Sequence, residues 1–189
     1  MSIAAQSTSR QSPHQRWADR LWPVLLAVAA VGGSLAFACI TPFAAFAAFA
    51  AETQKPRAAL ATLALIWAAN QAVGFAFLQY PHDASTLLWG VAILAAALLA
   101  AGTASLVVAW LHHIQRWQRL GLAFAAAFAV YELALLVPSL FTGETANFAP
   151  GLVLDLALLD AAWLAGLVVL HEALARLGWP NLTSLIRVA

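Results

Sequence analysis

Five stretches of this chain are each long and apolar enough to cross the hydrocarbon core of a bilayer: residues 21–40, 58–80, 86–111, 120–141 and 152–174. A spanning helix needs about 20 apolar residues. Composition removes the alternative of burying these runs in a soluble core. Of the 189 residues, 63% are hydrophobic and 9% charged. A soluble domain carries about 25% charged residues, so too little polar surface is present to coat a water-facing globule. The chain is therefore expected to be an all-α integral membrane protein. A net charge of +1 offers nucleic acid no field to follow. A single cysteine, Cys39, excludes an intrachain disulfide and a multi-cysteine metal cluster. Trp17, Trp22, Tyr80, Trp89, Trp110, Trp117 and Trp179 fall near the ends of the runs, where amphipathic rings settle at a membrane interface.

Basic residues orient the runs, because Lys and Arg are retained on the cytosolic side. Arg10, Arg16 and Arg20 precede the first run, Lys55 and Arg57 precede the second, and Arg116 and Arg119 separate the third from the fourth. Arg176 and Arg187 follow the last. The connections "YPHDAST" and "TGETANFAPG" contain neither Lys nor Arg and are expected outside. The stretch "LAFACITPFAAFAA" must then join two cytosolic segments, one ending at Arg20 and one at Lys55. That requires an even number of crossings, and a hairpin turning at Thr41-Pro42 supplies it, since Pro starts a helix readily but interrupts one it follows. The descending arm is short for a span and is expected to be tilted or shielded by neighbours.

The expected architecture is a six-helix bundle with helices at about 21–40, 43–55, 58–80, 86–111, 120–141 and 152–176. A polar tail at 1–16 is read as disordered, residues 17–178 as one transmembrane domain, and 179–189 as a second cytosolic tail. Both termini lie in the cytosol of a bacterium, and the chain in its inner membrane. A rival reading makes the start a signal peptide cleaved or lipidated after Ala36-Phe37-Ala38, at Cys39. It would leave Lys55 and Arg57 outside, and Ala36 stands where a lipoprotein signal carries Leu, so the hairpin is preferred.

Polar and ionisable side chains within the runs mark the candidate site, since each charge costs roughly 2.5–3.5 kcal/mol to insert. At about 1.5 Å rise per residue, Glu132 lies about 14 Å from the outer end of its run, Asp160 about 12 Å, and Asn70 and Gln71 about 14 Å. Asp155 sits higher, one turn into its helix. Tyr131 adjoins Glu132, and Trp163 follows Asp160 by one turn. The outer connections add His82, Asp83, Glu144, Asn147 and Phe148, with Trp89 near the top of its helix and Cys39 and Thr41 at the hairpin tip. These residues predict a pocket open to the outside, walled by carboxylates, amides and aromatic rings. The proposed ligand contacts are Asn70, Gln71, His82, Trp89, Tyr131, Glu132, Asp155 and Asp160. Carboxylates beside aromatic faces favour a flat cationic ligand. The competing explanation is structural: such groups also serve as interhelical hydrogen-bond glue, and Asp155 could cap its helix.

No other motif carries chemistry. His171-Glu172 opens no HExxH pattern, His112-His113 reads as part of a basic interface, and no Gly-rich phosphate loop is present. Neither a resident metal nor a cofactor is expected, and the chain is not expected to be an enzyme. A lipid-modifying enzyme using Glu132 and Asp160 as acid and base would lack a nucleophile, metal or phosphate-binding group.

"PFAAFAAFAA" repeats small residues at Ala44, Ala47, Ala48 and Ala51, a spacing that permits close helix contact. This Ala-rich arm, the Thr-Pro turn that opens it, the basic turn that follows and the outward pocket together resemble the substrate-capture (S) components of energy-coupling factor vitamin transporters. The resemblance covers about residues 35–100, through "ITPFAAFAAFAAETQKPRAALATLALIWAANQAVGF" and "YPHDASTLLWG". It implies capture of a vitamin or precursor at the outer face and release by toppling in the membrane. It also implies a transmembrane coupling partner driven by two ATPases, docked on Ala44, Ala47, Ala48 and Ala51. An N-terminal Met-His pair is missing, which argues against nickel or cobalt. Cys39 leaves a cobalamin-like ligand open. The alternative function is a non-transporting assembly subunit of a larger membrane complex.

Overall fold

The computed structural model describes residues 21–30, 32 and 41–179, and all of their regular structure is helical. Six α-helices are present among them: α1 (Leu21–Ala30), α2 (Phe43–Thr53), α3 (Pro56–Ala76), α4 (Ala84–Trp110), α5 (Arg116–Thr142) and α6 (Pro150–Arg176). A short 3-10 turn, Thr145–Phe148, joins α5 to α6. The helices α3, α4, α5 and α6 are each long and apolar enough to cross a membrane. Both expected tails, Cys39 and the expected hairpin bend before Thr41 lie outside the described residues.

The short helix α2 occupies the centre. Its 11 residues rise about 16 Å, too little to span a hydrocarbon core of about 30 Å. Every residue from Phe43 to Glu52 is buried. It packs against α3, α4, α5 and α6, while the Trp22 ring of α1 lies 6.0 Å from Phe49. The expectation of a shielded arm is met, and the reason is the side-chain pattern. Phenylalanines at 43, 46 and 49 project on one face: Phe43 against Tyr131, Phe46 against Trp163, Phe49 against Trp22 and His171. Alanines fill the remainder. They meet small residues on the facing helices, Ala97, Ala100, Ala101 and Ala104 of α4 and Ala123 and Ala127 of α5, all fully buried. Small side chains on both partners bring backbones close, which is how helices associate where no hydrophobic driving force separates them from lipid.

This packing corrects the expected docking face. Ala44, Ala47 and Ala48 are wholly buried and Ala51 nearly so, inside the chain's own bundle. They mediate internal helix contacts and leave no surface for a partner subunit.

A helix buried in apolar surroundings must have its polar ends satisfied from within the protein. At the C-terminal end of α2 the Glu52 carboxylate, 1% exposed, accepts from the Nε of Arg116 at 2.9 Å and the Nε of Arg119 at 2.8 Å. The second nitrogen of the Arg119 fork also reaches Glu52. A bidentate guanidinium fixes both distance and plane. It locks the start of α5 to the end of α2, so α5 begins at Arg116, a turn before the expected position 120. Beside it, the Thr62 hydroxyl donates to Gln54 at 2.8 Å and ties α3 to the same corner.

Two further differences from expectation lie at the other end of the bundle. Helix α3 stops at Ala76 rather than 80, because the chain reverses through Gln79 at φ 56° and Tyr80 folds back over Gly74. A β-carbon at Gly74 would collide with the Tyr80 ring as it lies, so this close approach favours glycine there. Helix α4 starts at Ala84, capped by the Asp83 carboxylate, which accepts from the Thr86 amide at 2.7 Å. That bond holds the Asp83 pKa below the ordinary carboxylate value. Trp67 then donates to the Gly90 carbonyl at 2.8 Å and joins α3 to α4.

The clamp at Glu52 sets the first prediction. Glu52→Ala leaves the half-buried Arg119 without its partner, and breaking such a pair costs about 3 kcal/mol. Thermal unfolding in detergent should show this loss, with Glu52→Gln losing less.

Candidate functional site

Helices α5 and α6 both lean on α2, and the 3-10 turn bridges them at the end where α2 begins. Between them lies a cavity of about 270 Å³. Helix α5 supplies Phe128, Tyr131, Glu132, Leu135 and Ser139, spaced at three and four residues so that one face of the helix becomes one wall. Helix α6 supplies Leu156 and Asp160, one turn apart. Asn70 of α3 and Trp89 and Ile93 of α4 form the opposite side, and Asn147 and Phe148 of the 3-10 turn lie at the mouth. Thr41 and Phe43 bring the start of α2 to the lining.

Five of the eight sequence-predicted contacts thus converge on one cavity: Asn70, Trp89, Tyr131, Glu132 and Asp160. Three do not. Gln71 faces a second, shallower groove with Tyr80, Ser85 and Gly90, on the other side of Trp89. One residue along a helix turns a side chain by about 100°, and here that step carries Gln71 from the cavity to the groove beside α4. His82 is exposed and lies on Phe75, ring centroids 5.2 Å apart. Asp155 is exposed on α6, one residue before Leu156 but on a different side. Trp163 packs on Phe46 below the cavity.

Polar groups in the lining are organised. Asp160 is buried, and its Oδ2 accepts from the backbone amide of Ala45 at 3.2 Å. It therefore caps the first turn of α2 from a different helix, placing negative charge at the positive end of the helix dipole. The Thr41 hydroxyl donates to Asn70 Oδ1 at 3.0 Å, joining the entry of α2 to α3. On α5, Pro138 has no amide to offer the Ala134 carbonyl. One residue on, the buried Ser139 hydroxyl returns to the Leu135 carbonyl at 2.8 Å. The Thr41 and Ser139 hydroxyls are thus engaged as donors. Glu132 makes no hydrogen bond or ion pair among the described residues.

Among the described residues no lysine or arginine lines the cavity, and two carboxylates stand in it among five aromatic rings. Among the described residues no group of three or more His, Cys, Asp or Glu side chains could hold a metal ion. The arrangement can hold a compact molecule against ring faces and hydrogen-bond it through Asn70, Asn147 and the two acids. Phe43, Ile93, Phe128, Leu135, Ser139 and Leu156 escaped the sequence reading. The α5 members repeat at helical spacing around Glu132, and Leu156 stands one turn before Asp160, so periodicity from the two acids would have found them.

The fold and cavity define a helical bundle with an internal polar chamber at one end. No protein-family model matches the chain, and no curated protein or solved structure shows significant similarity to it.

The Asp160 bridge yields a second prediction. Asp160→Ala removes the acceptor for the Ala45 amide, a charged hydrogen bond whose loss costs about 1.5–3 kcal/mol. The amide of Ala45 should exchange faster with solvent, and the melting point should fall. Asp160→Asn keeps an acceptor and should lie between the two.

Proposed function

We propose that this chain is a substrate-capture subunit of a bacterial inner-membrane transporter, taking a small organic cofactor or vitamin precursor from the outer face. The observation that carries this reading is the cavity itself: Asn70, Trp89, Tyr131, Glu132 and Asp160, from four helices, gathered on one chamber of about 270 Å³. Small-molecule sites combine apolar and aromatic walls with a few placed polar groups, at volumes of about 300–1,000 Å³. At about 270 Å³ this chamber falls just below that range, the size of a one- or two-ring compound and well below a corrin, which argues against the cobalamin-like option. A binding rather than catalytic role fits the lining, whose aliphatic hydroxyls already donate, Thr41 to Asn70 and Ser139 to Leu135.

In this reading α1 and α2 form the hairpin at Thr41-Pro42, both termini are cytosolic and the cavity opens outward. The contact of Trp22, near the start of α1, with Phe49, near the end of α2, supports an antiparallel pair. The likeness to energy-coupling factor S components adds a coupling subunit and ATPases to the proposal. Their docking surface lies outside the alanines of α2, which are spent on internal packing. A second reading, an assembly subunit of a larger complex, draws on one observation: Asp160 already has a structural duty at the start of α2.

Native mass spectrometry of the protein purified in lipid nanodiscs should reveal a copurifying small molecule that is lost in Trp89→Ala. An empty native protein held in a stoichiometric membrane complex would favour the assembly role instead. Orientation has its own check. A cysteine placed at Asp83 in a Cys39→Ala background should react with a membrane-impermeant maleimide from outside intact cells, and one placed at Lys55 should not. The reverse pattern would turn the cavity toward the cytosol and end the uptake proposal.

A further inference from the structure

We infer that the ligand of this cavity is a planar monocation, an amidinium, guanidinium or protonated heteroaromatic ring, with Glu132 as its counter-ion and Trp89 and Tyr131 as its aromatic contacts. The inference rests on the capture reading above and specifies the chemistry of what is captured.

The charge balance of the chamber points there. Among the described residues two acids line it and no basic side chain does. The two acids are not equivalent. Asp160 spends an oxygen on the Ala45 amide, and its charge is opposed by the amino-terminal end of α2. Glu132 stands one helical turn from Phe128 and Leu135 with no hydrogen bond or ion pair among the described residues, while facing the same space. An acid half-buried among apolar and aromatic groups favours a partner that brings opposite charge and donors with it. Ring faces reinforce the choice, because their quadrupoles attract cations. An anion would meet Glu132 and Asp160 with no compensating Lys or Arg. A neutral ring would leave the Glu132 carboxylate as it stands. Asn70 and Asn147 supply amide oxygens and nitrogens at the rim, which suit a ligand with further donors or acceptors at its edge.

The test uses three probes of nearly equal size and shape: benzamidinium, benzamide and benzoate. Each is titrated by calorimetry into the full chain in lipid nanodiscs, freed of any copurified molecule by exhaustive dialysis. Benzamidinium should bind about tenfold or more tightly than benzamide, the ratio expected of one ion pair with cation–π support, and benzoate should not bind. Glu132→Gln should bring benzamidinium down to the level of benzamide while leaving benzamide unchanged. That second result separates lost charge recognition from a misfolded chamber. If benzamide or benzoate binds native protein as well as benzamidinium does, the cationic class is overturned and the capture reading survives. If Glu132→Gln leaves the preference intact, Glu132 is not the counter-ion. If none of the three binds and no small molecule copurifies, this inference and the capture reading fall together.

Discussion

The fold depends on how a short helix is kept in the middle of an apolar bundle. Helix α2 buries ten of its 11 residues, and a helix in that position carries unpaired amides at one end and unpaired carbonyls at the other. The protein supplies partners from other helices. Asp160 of α6 receives the Ala45 amide, and the clamp of Arg116 and Arg119 on Glu52 anchors the far end to α5. Between the anchors the helix offers only phenylalanine and alanine, so its flanks fit closely against α4 and α5. Long helices can then stand around a core that none of them fills alone.

The same arrangement creates the chamber. Because α2 is short, α5 and α6 lose its support beyond Phe43, and among the described residues the space above is lined by side chains. Phe128, Tyr131, Glu132 and Leu135 on one side and Leu156 and Asp160 on the other enclose it, with the 3-10 turn across the mouth. Pro138 lies in this part of α5, where the backbone already lacks one hydrogen bond and Ser139 turns inward. The structural and the candidate binding features are therefore one feature seen from two sides.

Much of this was legible in the residues. Length and hydropathy located the four long helices, and the Thr41-Pro42 step correctly opened a short Ala-rich helix, because both signals are local. The cost of burying charge pointed to Glu132 and Asp160, and those two acids do face one cavity. What failed was any step that needed facing. Asn70 and Gln71 were equal by depth, yet only Asn70 turns inward. Asp155 was placed by its height in α6 and proves exposed. The alanines of α2 were read as an open face because short spacing looks the same whether the partner helix belongs to another chain or to this one. Their burial is a tertiary fact, settled by α4 and α5 carrying matching alanines. The clamp on Glu52 was invisible for a related reason: Arg116 and Arg119 read as topogenic charges, and only the fold brings them to a carboxylate 64 and 67 residues away.

Asp160 joins these themes. Its Oδ2 holds the start of α2, and its side chain also lines the chamber. A molecule that donates to this carboxylate shares its charge with the Ala45 amide or takes it away. By linkage, whatever changes the hold on α2 changes the affinity for that molecule by the same factor. The far end of α2 is fixed by Arg119 in a geometry that tolerates little displacement. A disturbance at Asp160 therefore cannot be relieved by sliding the helix along its axis without breaking the Glu52 clamp. It must be absorbed at the other end, where the Thr41 hydroxyl donates to Asn70, another residue of the same lining. Occupancy of the chamber and the conformation of the Thr41-Pro42 entry are coupled by that chain of contacts.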